Sequence, residues 1–486
     1  MSKLKTLAGE TALYGLGNIV PRFLNFLLFP IHTAFFHPEE YGVFTYLMSF
    51  VALLNVVYSF GMETAFFRFA TKPQADAKKI FNIAQTTVLG ISTALTLVFI
   101  LFASSIASLL DARGHENYII WLAWIMFTDN VVSIPFARLR LEKKPLQFAA
   151  FRVANVSIQI ILTLYFLYVD FDPKIGIAYI FLSNLIANAF YILFFIRTFL
   201  TWRPAFDKEI FPSMVQYAYP IMLTGLAGMM NEFFSRIALD KWLPPNFYPG
   251  KSSAFAVGVF GACYKFSVFM NLTVTAFRLA AEPFFFSNAT DRNSPALFAR
   301  VNHYFVLVCC FILLAVSINL DVLKIIFLRK EEYWVGLPIV PLLLLGYLFL
   351  GVYYNFTVWF KLTDKTHYGT IITVAGAILT LALNFILIPV AGYYGSSWAT
   401  VIVYGAMMIA CYWLGQKYFP IPYSIGKDST YILATCILVW GVDRIHFSSL
   451  AVAAGFHAAV MILVIGVIYV IEKPQLEKQG QNADKT

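Results

Sequence analysis

Residues 368–415 read YGTIITVAGAILTLALNFILIPVAGYYGSSWATVIVYGAMMIACYWLG, a stretch without a single charged side chain. About twenty apolar residues cross a hydrocarbon core, so this stretch holds two crossings, 368–390 and 394–416, joined by a glycine turn. The same criterion, applied outward in both directions, places spans at 11–35, 41–62, 83–107, 118–137, 147–169, 175–196, 214–235, 254–277, 301–323, 335–358 and 447–471. A short run at 429–442, followed at once by Asp443 and Arg444, completes a set of about fourteen. The whole composition agrees: 60% of 486 residues are hydrophobic and 13% are charged, against about a quarter charged in soluble domains. Little chain is left for a soluble domain, which excludes a secreted enzyme, a peripheral protein or a nucleic-acid binder despite the net charge of +9. The fold class is an all-α polytopic membrane protein.

The basic residues sort by side. With the N-terminus inside, 23 of the 35 Lys and Arg residues fall in inner loops and 8 in outer ones, the asymmetry of the positive-inside rule. Both termini are then cytoplasmic. The first run is long and broken by Asn18, Arg22 and Asn25, unlike a cleaved signal peptide. All five cysteines lie in apolar runs without metal-ligand spacing and read as small hydrophobes. The stretch 278–300 reads as the longest inner loop, and the polar tail 473–486 as disordered.

The chain carries a weak internal repeat. The segment from Leu141 (LEKKPLQFAAFRVANVSIQIILTLYFLYV) overlies the segment from Leu362 (LTDKTHYGTIITVAGAILTLALNFILIPV), matching Lys144 to Lys365 and Leu162 to Leu383. Gly42-Val43-Phe44 recurs as Gly258-Val259-Phe260, and Gly176 falls over Gly395. A unit of six spans returns the second copy to the same orientation, so two lobes, 1–206 and 207–418, are expected about a pseudo-twofold axis along the membrane normal. Residues 419–486 then hold two further spans and the tail. Facing bundles of this kind suit alternating-access transport.

The order of motifs resembles the polysaccharide (Wzx-type, oligosaccharide-lipid) flippase family of the multidrug/oligosaccharidyl-lipid/polysaccharide exporter (MOP) superfamily. Its carriers are the stretch Gly15–Phe44 running into YGVFTYL, GMETAFFRF at 61–69, RLRLEKK at 138–144, and LNFILIPVAGYYGSSWATVIVYG at 383–405, where the Asn384-bearing helix ends at Ile388-Pro389 and Gly392 and Gly395 open the next. The resemblance implies a bacterial inner-membrane protein that turns a polyprenyl-pyrophosphate-linked oligosaccharide (an O-antigen, capsule or exopolysaccharide repeat unit) from the cytoplasmic to the outer leaflet. It also implies a lipid-tail groove at the last two spans. The expected partners are this lipid, the bilayer, H+ or Na+ as a driving ion, and the polymerase or export machinery of polysaccharide assembly. A monomer is expected, with no cofactor.

Four basic residues remain inside spans: Arg22, Arg152, Arg236 and Lys265. Each costs about 2.5–3.5 kcal/mol to insert and is a candidate functional residue. Arg22 shares a helical face with Asn18 and Asn25, and Arg152 with Asn155 and Gln159, giving two polar stripes that call for a cavity. A guanidinium matches phosphate oxygens and keeps its charge without water, so these stripes suit a pyrophosphate. Pairing with Asp129, or snorkelling to the inner face, is the structural alternative for Arg152. Arg236 follows Glu232 by one turn, the spacing of an ion pair, and Lys265 has no acid on its own helix. Asp129 and Glu232 are candidates for ion coupling or for pairing with these cations. Glu63, with Arg68 one turn beyond, reads as an interfacial pair.

Other classes fit less well. Asp170-Phe171-Asp172 is formally a D-x-D, the carboxylate spacing of a metal-dependent glycosyltransferase, but it sits in a tight connection with no accompanying domain. The seven histidines form no metal-spaced or triad pattern. A cation-coupled drug exporter of the same superfamily would favour acids in its first span. A peptidoglycan-precursor flippase would share both spans and cationic cavity.

Overall fold

The computed structural model describes residues 15–483 except 16, 18, 111–115, 290–293, 446 and 448, with side chains described up to Lys473. Every regular element among them is helical, as a bilayer that cannot hydrogen-bond peptide groups requires. The first lobe comprises α1 (Ile19–Phe35), α2 (Pro38–Ala70), α3 (Ala77–Leu101), α4 (Glu116–Leu141), α5 (Pro145–Tyr168) and α6 (Ala178–Phe194). The second comprises α7 (Ile210–Trp242), α8 (Ser253–Ser287), α9 (Ser294–Ile318), α10 (Glu331–Leu362), and α11 and α12, the two arms of His367–Tyr418 on either side of Gly392. The last pair is α13 (Ile425–Val442) and α14 (Leu450–Ala483).

Several boundaries differ from the sequence reading. Helix α13 starts four residues before its expected edge and reaches 18 residues, about 27 Å at 1.5 Å per residue, enough to span. Helix α8 does not stop at 277 but runs through AEPFFF to Ser287, so Arg278 and Glu282 are helical rather than loop residues. The final helix continues to Ala483, where a disordered tail is expected. Glu63 pairs with Arg140 of α4 rather than with Arg68, whose guanidinium instead covers the Tyr217 ring at 4.2 Å.

The repeat has a backbone signature. After α4, Lys143 takes a left-handed φ of 54° and the Lys144 N–H returns to the Leu139 carbonyl at 2.9 Å; after α10, Asp364 takes φ 56° and the Lys365 N–H returns to the Phe360 carbonyl at 2.8 Å. Both are helix stops of the Schellman kind, and they fall at the register that matches Lys144 to Lys365. Gly392 has a positive φ like Gly176, so by conformation it, and not Gly395, is the counterpart of Gly176. At the same bend, Ser396 donates to Asn384 Oδ1 at 3.0 Å and ties the two arms together.

The lobes meet most closely along α2 and α8. A side chain on Gly42 would overlap the Ala254 carbonyl, and one on Gly258 would overlap the Pro38 carbonyl. The contact is reciprocal, as a twofold relation requires. Around it, the two lobes are joined by Phe26 on Phe269 and Phe29 on Phe266, and by Tyr333 donating to the Phe36 carbonyl at 3.0 Å. Lys330 donates to the Phe35 carbonyl, and His37 Nδ1 lies 2.9 Å from Glu332. All of these lie at the end of the bilayer opposite the Lys143 turn. At the turn's own end, Met214 and Ala218 of α7 pack with Met62 of α2. There Asp207 ion-pairs with Lys79 at 2.6 Å and caps α7 by accepting the Glu209 and Ile210 N–H groups. The Lys79 ammonium and these amides hold the Asp207 carboxyl down at about 2, so the tie is complete above the ordinary carboxylate range and lost only as the pH falls toward that value.

Gly42→Ala is expected to lower the thermal midpoint of the detergent-solubilised protein, since overpacking against backbone costs about 1–3 kcal/mol. Gly90→Ala, where an added methyl meets open space, is the control and keeps the wild-type midpoint or exceeds it. Equal midpoints for the two variants would show that the α2–α8 approach is not tight.

Candidate functional site: open cations between and within the lobes

Helix α1 is sided. Gly17 lies against Phe148 and Ala149 of α5, Gly15 against Leu279 of α8, and Phe26 against Phe269 of α8, while Phe23 and Leu27 are exposed. At about 100° per residue, Arg22 and Asn25 fall between the α5 and α8 contacts, on the side away from Phe23 and Leu27. Both are nevertheless exposed. The surface they expose is thus the space between the lobes rather than lipid, and Arg22 makes no hydrogen bond or ion pair among the described residues. Asn18 lies outside the described residues.

Lys265 sits at a break in α8, a single 3-10 turn over Lys265–Ser267. Its side chain is exposed, and its ammonium has no partner among the described residues. The charges it feels come from both sides of the interface, His32 on α1 and Arg236 on α7. Arg236, by contrast, is 5% exposed and closed in by aromatic rings, its Cζ 4.0 Å from the Tyr264 centroid and 4.9 Å from that of Phe233. It donates to the Glu232 main-chain carbonyl at 2.8 Å. The Glu232 carboxylate accepts instead from the Tyr347 hydroxyl at 3.1 Å, and Tyr347 in turn contacts the Tyr264 hydroxyl. Two tyrosines therefore stand between the charges that the sequence spacing pairs directly.

Arg152 turns into the first lobe. Its Cζ lies 4.2 Å from the Phe136 centroid and 5.9 Å from that of Tyr191, a cation–π setting. Asp129 is within its electrostatic reach and accepts from Asn188 at 2.9 Å, and Asn188 accepts from buried Asn155 at 3.2 Å. Gln159 is buried one turn further along α5. For Arg152 and Asn155 the geometry is that of internal compensation, the alternative to cavity contact left open by the sequence.

The second lobe holds a cavity of about 490 Å³ lined by Asn231, Glu232, Arg278, Glu282, Tyr354 and Thr373 among others. Glu282 is paired with Lys361 at 2.8 Å, but Arg278 rests on the Tyr354 ring at 4.8 Å with no carboxylate partner among the described residues. Sequence reasoning missed Arg278 by ending the span at 277. The signal was there: Asn271, Thr275, Arg278 and Glu282 recur at helical spacing as one polar stripe. Asp170 and Asp172 form a turn, Asp172 accepting the Lys174 N–H at 2.9 Å.

Known proteins place this architecture. The sequence model of a polysaccharide biosynthesis protein family matches residues 33–239. No curated protein matches the sequence. Among solved structures, the lipid II flippase MurJ in an inward closed conformation aligns over 94% of this chain and 99% of its own at TM-score 0.74 and 15% identity. An inward-facing multidrug resistance MATE family transporter of the MOP superfamily aligns over 90% of this chain and 100% of its own at TM-score 0.62 and 14% identity. The fold is the one these two solved proteins share. The family match runs from the end of α1 to near the end of α7, in line with the resemblance read from the sequence motifs. In this fold, the exposed cations Arg22 and Lys265 lie where the lobes face each other, and Arg278 lines the second-lobe cavity.

If those surfaces are watered from the end that bears the Lys143 turn, Arg22→Cys and Lys265→Cys will react with a membrane-impermeant thiol reagent supplied at that end and not at the other. The buried Cys263, Cys309, Cys310 and Cys411 will stay unlabelled in the wild type. Labelling from the opposite face alone would contradict the closed seam at the Gly42–Gly258 end.

Proposed function

We propose that the protein is a flippase that carries a polyprenyl-pyrophosphate-linked oligosaccharide from the inner to the outer leaflet by alternating access. It sits in the bacterial inner membrane with both termini in the cytoplasm, and residues 1–206 and 207–418 form the moving lobes, with 419–486 as the attached pair and tail. The observation that carries this reading is the set of exposed cations on membrane-spanning helices, Arg22, Lys265 and Arg278, without acid partners among the described residues. A drug exporter for cationic compounds gains nothing from such a set. An anionic headgroup offsets it, because pyrophosphate oxygens accept charge-assisted hydrogen bonds from all three side chains.

The hydroxyl- and amide-rich wall of the second-lobe cavity, with Asn231, Tyr354 and Thr373, suits the sugars, while the lipid tail stays in the bilayer. The seam at the Gly42–Gly258 end is closed in this conformation and the start of α7 bridges the lobes at the other end, so loading from the cytoplasmic leaflet requires those α7 contacts to part. No bond is made or broken. Direction has to come from differential affinity for the two states coupled to an ion gradient or the membrane potential. A second reading, flipping of a peptidoglycan precursor, rests on the same headgroup chemistry and on the likeness in fold to the lipid II flippase.

The test is reconstitution in liposomes with a fluorescent polyprenyl-pyrophosphate oligosaccharide. Arg22→Ala and Lys265→Ala are each expected to slow flipping about tenfold or more, the loss of a charge-assisted hydrogen bond worth about 1.5–3 kcal/mol. Wild-type rates in both variants, at equal protein levels, would sink the cationic-cavity reading; a preference for the peptidoglycan precursor over sugar-only lipids would select the second reading.

A further inference from the structure

A group of buried charges at the junction of α9, α13 and α14 has no part in the cavity just described. His303 of α9 is 5% exposed, and its Nδ1 lies 2.5 Å from Asp428 Oδ1 on the first turn of α13. Its Nε2 lies 3.3 Å from Glu472 Oε1 on α14, an ion-pair distance without the alignment of a hydrogen bond. Asp428 is 5% and Glu472 3% exposed. Lys427 Nζ lies 2.7 Å from Glu472, and the Tyr431 hydroxyl donates to it at 2.6 Å.

From Asp428 the hydrogen bonds continue inward. Asn302 donates to Asp428 Oδ2 and Asn355 of α10 donates to Asn302 Oδ1, each at 3.2 Å. Asn355 lines a recess that also holds Arg278 and Glu282. The rings of Tyr304 on the same helix and Tyr431 of α13 also lie beside His303, and Lys473, exposed and engaged in an interaction of its own, follows Glu472 in the chain. Helix α8 meets α9 through ring contacts, Phe277 on Phe305 and Phe285 on Phe298, and brings no charge to the imidazole.

Charge counting decides the state of this group. Among the described ion pairs of this group, two buried carboxylates face the single ammonium of Lys427, and a buried net charge is costly. An imidazolium at His303 brings the group to neutrality. The geometry agrees, since both ring nitrogens face carboxylate oxygens, whereas a neutral imidazole has only one N–H and would turn a lone pair toward one of them.

We propose that His303, Asp428 and Glu472 form a proton-binding site, loaded in this conformation, that fastens α13 and α14 to the second lobe. Loading adds one solvent proton to the imidazole and changes no other covalent bond; the proton enters past Lys427, whose side chain is 30% exposed. Unloading leaves two carboxylates facing one ammonium, frees α13 and α14 from α9, and releases the Asn302–Asn355 link to the cavity wall. The site would let a proton gradient act on the two C-terminal helices at a place remote from Asp129 and Glu232.

Two measurements on the full chain in lipid nanodiscs test this. With isotope-labelled histidine, a ring signal absent from His303→Gln should show both nitrogens protonated at about neutral pH, where a free imidazole with its pKa near 6.5 is mostly neutral. That signal should become neutral in Asp428→Asn, a variant that keeps the side-chain volume. Spin labels on α9 and α13 should report a short, narrow distance at about pH 6 that lengthens or broadens at about pH 9 in the wild type and stays pH-independent in Asp428→Asn. A neutral His303 ring in the wild type, or a wild-type distance that ignores pH, overturns the proposal. Neither measurement involves cargo, so failure here leaves the flippase reading untouched, and failure of lipid flipping leaves this site standing.

Discussion

A hydrocarbon core solvates neither peptide groups nor charge, and the arrangement of this molecule follows from how it meets that constraint. Helices dispose of the peptide groups. The charges are handled in three physical ways. Arg152 and Arg236 are enclosed by aromatic faces and reach their acids, Asp129 and Glu232, through space or through tyrosine hydroxyls. His303, Asp428, Glu472 and Lys427 neutralise one another in a compact group. Arg22, Lys265 and Arg278 are left open toward space between or within the lobes. The third arrangement is stable only where water or an anion reaches the side chain, which is why the proposed transport path is drawn through it and not through the other two.

Much of the fold was legible because long apolar runs and loop charge are strong signals. The two six-span lobes could be read from residues such as Gly42, Gly258, Lys144 and Lys365, which later proved to sit at matched turns or in mutual contact. What stayed hidden was tertiary. Helix α13 looked short because Lys427 and Asp428 count against a span, yet both are neutralised by side chains on α9 and α14. Glu63 lies one turn from Arg68 in sequence but nearer to Arg140 in space.

The candidate site was less legible for the same reason. A polar stripe announces that a helix face avoids lipid, and it does so for both Arg22 and Arg152. It does not say whether the face meets a cavity or another helix. Arg22 looks into the space between α5 and α8, whereas Arg152 meets Phe136 and Tyr191 within its own lobe. Arg278 was overlooked because an aromatic-rich helical extension, AEPFFF, reads as the start of a loop once a charge has appeared.

The glycine seam between α2 and α8 has a mechanical consequence. Interlocked side chains must be unmeshed before two helices part, and each knob withdrawn forfeits many dispersion contacts. Where backbone lies on backbone there are few knobs to withdraw, so the surfaces can part or slide with little friction. Gly42 and Gly258 thus give the lobes a close yet smooth bearing, a joint suited to repeated opening rather than to permanent adhesion.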